Sequence, residues 1–102
     1  MATRPVKIVN AKHIRELFHQ ANCPARLASG LLRESLRRSK HPAAPRAKMP
    51  VCTRSQMVTY VDGTGEAVAI VHRYLLPDGR IGASGQADPK WLLHDGTVYQ
   101  VL

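Results

Sequence analysis

The sequence predicts an α+β domain, with an N-terminal two-helix hairpin followed by an antiparallel β-meander of three to four strands and one short helical turn. Apolar residues recur at helical spacing between Asn10 and Leu36. From Met57 onward the runs are β-branched and aromatic, and Asp-Gly pairs at 62, 78 and 95 punctuate them as turns. A chain of 102 residues has room for one hydrophobic core, so residues 1–102 are expected to form a single domain.

The first helix opens at Asn10, a residue suited to capping, and sets Ile14, Leu17, Phe18 and Ala21 along one face. It should stop near Asn22, because Pro24 disfavours helical geometry at Cys23. Pro24 then suits the first position of a second helix running to residue 38. On that helix Leu27, Ala28, Leu31, Leu32, Ser35 and Leu36 share one side, and Arg26, Arg33 and Arg37 line the opposite one. Gly30 lies beside this stripe at a cost of about 1 kcal/mol in helix propensity.

Residues 39–55 read as a basic, proline-rich linker. Met57–Val61 and Ala67–Leu76 then form a hairpin across Asp62-Gly-Thr-Gly65. A turn at Pro77-Asp78-Gly79 leads to a short strand over residues 80–83, and Asp95-Gly96 leads to a strand over residues 97–101. Between them, Asp88-Pro89 resembles a capped helix start and predicts one helical turn over residues 88–93. Residues 67–76 are apolar on both faces, so the helices should cover one face and the Trp91 segment the other face or an end.

Charge divides the chain. Residues 1–54 carry twelve Lys and Arg against two Glu, a net +10, whereas residues 55–102 carry three against five, a net −2. Such a concentrated field favours polyanionic partners. The start of the chain lacks the apolar core of a secretory signal, and no window is apolar enough to span a membrane, so a cytoplasmic protein without membrane association is expected. Cys23 and Cys52 form no Cys-x-x-Cys pair and read as structural thiols.

The leading functional expectation is non-enzymatic binding of DNA or RNA, or of a nucleoprotein, mainly through phosphate contacts by Arg26, Arg33, Arg37, Arg38, Lys40, Arg46 and Lys48. Competing with it is a solvated helix face that only confers solubility, although such faces usually mix their signs. Helix-turn-helix recognition is poorly supported, since the second helix lacks polar side chains for reading bases. Tyr60, Tyr74, Trp91 and Tyr99 could stack bases or fill the core. The Gly82–Gly85 loop could wrap an anion, or simply end a strand.

Two other functional classes remain. One is an accessory protein that docks on an acidic protein partner. The other is a small ribonuclease or toxin with His72 as base and Arg73 stabilising the phosphorane, drawing on His94, Tyr74, Tyr99, Ser84 and Asp88 as further material. Successive strand residues point to opposite faces, which sets His72 against Arg73 unless a bulge re-aims one of them. His72, His94 and a cysteine lack recognisable metal-ligand spacing, and neither a metal nor a cofactor is expected.

Overall fold

A computed structural model describes residues 4–40, 52–82 and 87–101. Chain order is β1 (Val6–Ile8), α1 (Ala11–Gln20), α2 (Cys23–Ser29), β2 (Arg33–Lys40), β3 (Arg54–Val61), β4 (Ala67–Leu75), β5 (Asp88–His94) and β6 (Thr97–Gln100). The strands form one six-stranded mixed sheet in the order β1-β6-β5-β4-β3-β2. Strands β2 to β6 are an antiparallel meander, and β1 joins β6 in parallel.

The first helix follows the sequence closely. Asn10 caps α1 by accepting a 2.8 Å hydrogen bond from the His13 amide, and Ile14, Leu17 and Phe18 are buried along its inner face. Asn22 then adopts the left-handed conformation, and α2 begins with Cys23 and Pro24. At this point the expected 10–38 helical hairpin fails. Gly30, at φ 85°, is the left-handed cap that ends α2, so residues 33–40 leave the helix and extend as an edge strand.

The sheet exceeds the expected three to four strands for related reasons. The segment at 88–93 is strand β5, and the helical turn expected there is absent. Its Pro89 sits where the β4–β5 register shifts between Ile70 and Val71, a bulge that tolerates the missing amide donor. Trp91 therefore belongs to the sheet and does not form a layer over it. The strand expected at 80–83 is reduced, among the described residues, to a single bridge between Leu75 and Ile81. Of the expected 39–55 linker, residues 39–40 belong to β2 and 54–55 to β3, and residues 41–51 lie outside the described residues.

Both helices contribute to a core on one sheet face. Ile14, Leu17, Phe18 and Cys23 meet Val58, Tyr60, Ala69, Val71 and Leu92, and the Phe18 and Tyr60 rings stand 6.0 Å apart. Burial raises the Cys23 thiol pKa despite nearby Arg26, which suits a structural cysteine; Cys52 is exposed. Farther along the same face, the Arg73 guanidinium donates to Gln56 Oε1 at 2.9 Å and to the Glu34 carboxylate.

The β3–β4 turn is tied by Asp62, whose Oδ1 accepts from Thr64 Oγ1 at 2.6 Å, Thr64 N at 2.9 Å and Glu66 N at 3.1 Å. The Thr64 hydroxyl bond, followed by the amide bonds, holds the Asp62 carboxyl below its usual range. Folding thus favours the carboxylate, and this stabilisation is full above the ordinary carboxylate pKa and lost as pH falls through the depressed native value. Asp62→Ala should lower Tm at neutral pH, and the difference from wild type should shrink below about pH 4. A difference that stayed constant down to strong acid, followed by circular dichroism, would contradict this account.

Candidate functional site

Ladder partners in a sheet share a face, so the register defines a second face opposite the core. One row runs through all the strands: Ile8, Gln100, Trp91, Ile70, Thr59 and Ser35 are successive partners from β1 to β2. The next row is Arg38, Met57, His72 and Asp88, and beyond it Lys40, Ser55 and Tyr74 occupy paired positions. Arg33 pairs with Val61 on the other side of the long row. Among the described residues, α1 and α2 both pack on the core face, which leaves this second face without a covering layer.

The predicted basic residues divide between these two sides. Arg33, Arg37 and Arg38 are exposed on β2, where Arg38 shares the open face with Met57 and Arg37 marks the bulge between Leu36 and Arg38. Arg37, Arg38 and Met57 line a recess of about 260 Å³. Lys40 ends the same strand, and Arg46 and Lys48 lie outside the described residues. Arg26 is separated from them. It is half-buried on α2, donates to the Ala21 carbonyl at 3.3 Å, and lines a recess with Asp62, Glu66 and Asp95. The continuous helical stripe of Arg26, Arg33 and Arg37 does not form, because only Arg26 is helical.

The aromatic residues divide as well. Tyr60 and Tyr99 pack with the core, whereas Trp91 and Tyr74 sit half-buried on the open face. Beside Tyr74 lies His72, whose ring meets the tyrosine edge-on with centroids 4.8 Å apart. His72 Nε2 is 2.8 Å from Ser55 Oγ. Burial lowers the His72 pKa most, Lys90 and Arg38 lower it further, and Asp88 acts against them. Asp88 is itself held by Lys90 Nζ at 2.9 Å, with Arg15 at 3.8 Å.

His72 and Arg73 do lie on opposite faces, and Arg73 is occupied by Gln56 and Glu34. A site pairing those two residues is therefore not assembled. Lys90 from the adjacent β5 and Arg38 from β2, beyond β3, are the cations whose charge acts on His72. Ser55, expected in the linker over residues 39–55, had no signal in the sequence, because its approach to His72 depends on the hairpin register. Most of the Gly82–Gly85 loop lies outside the described residues. Within the described residues, no helix is long and apolar enough to cross a membrane, and no group of three or more His, Cys, Asp or Glu is placed to hold a metal ion. No family model, curated protein or solved structure matches the chain.

Proposed function

We propose that the chain binds single-stranded nucleic acid along the open face of its sheet. The observation that carries this reading is one surface, uncovered among the described residues, that combines exposed Arg33, Arg37 and Arg38 with half-buried Trp91 and Tyr74. Guanidinium groups match phosphate oxygens, and the aromatic rings offer stacking surfaces to bases. A duplex hides its base faces, so a broad sheet with aromatic side chains suits an unpaired strand better. Lys90, at the β5 bulge, adds a fourth cation beside the same aromatic group.

Fluorescence anisotropy with labelled single-stranded oligonucleotides provides the test. Affinity should fall with salt, with a log–log slope near −3, at about −0.7 for each of four neutralised phosphates. A duplex of the same sequence should bind more weakly. Absence of binding at about 50 mM salt, or a slope near zero, would refute this reading. Retention of an acidic protein after nuclease treatment would then favour the docking alternative.

A further inference from the structure

We propose that the strand held on this face is RNA and that His72 promotes its cleavage, acting as the base that takes the 2′-hydroxyl proton. This rests on the reading of the open face as a nucleic-acid surface. The argument comes from what the sheet assembles around one imidazole. Ser55 from β3 fixes Nε2 at 2.8 Å, Tyr74 from β4 stands edge-on at 4.8 Å, and Asp88 from β5 is the ladder partner of His72. Arg38 from β2 lies in the same row, two strands from His72 with Met57 of β3 between them. The charged groups acting on the ring are Arg38, Lys90 and Asp88, and Asp88 is already paired with Lys90 at 2.9 Å.

In the tautomer with its proton on Nε2, His72 donates to Ser55 Oγ and presents the Nδ1 lone pair as a base. Burial and the two cations keep the ring neutral, which is the form a base requires. The reaction is an internal transesterification. His72 takes the 2′-hydroxyl proton, the 2′-oxygen forms a bond to phosphorus, and the bond from phosphorus to the 5′-oxygen breaks. The 5′-oxygen leaves with the bonding pair and takes a proton from water. The hydroxide left behind accepts the proton held on His72. The products are a 2′,3′-cyclic phosphate and a 5′-hydroxyl, with no net gain or loss of protons. Lys90, paired with Asp88, and Arg38, from two strands away, give this part of the face a positive field that favours the charge building on the phosphorane oxygens.

Ser55 is a positioning residue here and not the nucleophile of a Ser-His-Asp system. It lies in β3 with ladder partners Lys40 on β2 and Tyr74 on β4, so among the described residues its surroundings are committed to sheet pairing. Asp88 is engaged at Oδ2 by Lys90 and its buried Oδ1 makes no hydrogen bond among the described residues, so it does not orient the imidazole.

The test uses the full chain, excess EDTA and three labelled oligonucleotides of one sequence: RNA, 2′-O-methyl RNA and DNA. All three should bind, and RNA alone should be cut, yielding 2′,3′-cyclic phosphate and 5′-hydroxyl ends. His72→Ala and His72→Gln should each slow cleavage by about 10²–10⁴-fold while retaining DNA binding, which reports that the face is intact. Ser55→Ala should lower kcat with KM unchanged, and Ser55→Thr should restore it. The acid limb of the rate profile should lie below the usual histidine value of about 6.5. Binding without cleavage would overturn this proposal and leave the binding reading standing. Cleavage that persists in both His72 variants, or that also cuts DNA, would overturn it equally. Failure of wild type to bind any of the three would overturn both readings.

Discussion

Leu92→Ala should destabilise the protein by about 3–4 kcal/mol, the range expected when a fully buried leucine is cut back and its cavity only partly collapses. Leu92 has no solvent exposure, pairs with Ala69 and Tyr99 in the interior of the sheet, and belongs to the cluster formed beneath α1. A domain of this size commonly has about 5–15 kcal/mol of total stability, so the variant should approach the threshold of folding at physiological temperature. Leu36→Ala is the matched control. Leu36 is 56% exposed on the edge strand, and its truncation should cost less than about 0.5 kcal/mol. Urea titration of both variants checks the contrast. Equal, small losses would mean that residues 88–93 lie at the periphery, as the sequence pattern of a single helical turn implies.

That pattern shows which physical signals were legible and which competed. Asn10, the apolar spacing of α1, the Asp62 turn and the β-branched and aromatic runs of β3 and β4 each combine a local signal with a matching long-range partner. At Gly30 two signals conflicted. Leu27, Leu31, Leu32 and Leu36 fit a helical face, but a glycine able to adopt φ 85° can also terminate the helix, and here it does. Leu32 then enters the core from beyond the helix end, whereas Leu31 and Leu36 remain exposed. At Asp88-Pro89 the local signature of a helix start was overridden by pairing on both sides, with β4 and β6, because a bulge absorbs the proline. Strand β1 has three residues and carries too little period to be recognised.

The candidate site was legible as a set of residue types but not as an arrangement. A run of arginines announces positive charge in any conformation. Which arginines act together depends on whether the backbone turns about every 3.6 residues or alternates every second residue. The opposition of His72 and Arg73 follows from alternation alone, and the sheet preserves it. The meeting of His72 with Ser55 required more. Extending the Val61–Ala67 pairing without interruption would set His72 opposite Gln56, but the bulge between Tyr60 and Val61 moves its partner to Met57. One inserted residue therefore decides which side chains share the open face with the imidazole, and the turn sequence does not disclose it.

The same distinction between helix and strand makes the charge-removal experiment decisive. The triple variant Arg33→Gln, Arg37→Gln, Arg38→Gln should weaken binding to a single-stranded oligonucleotide by about 10²–10³-fold, if each phosphate contact contributes about 1–1.5 kcal/mol. Its salt slope should become shallower by about 2, since three contacts worth about 0.7 each are lost. All three side chains are exposed along one edge strand, so their replacement removes like-charge repulsion and leaves the core untouched. Arg26→Gln should leave both affinity and slope unchanged, because Arg26 sits on α2 beside Asp62, Glu66 and Asp95 and away from the open face. Under a continuous helical stripe, Arg26 would matter as much as Arg33 or Arg37. Anisotropy measured at several salt concentrations thus separates the two geometries as well as testing the function. Strong dependence on Arg26 with indifference to the β2 arginines would remove the sheet surface from consideration.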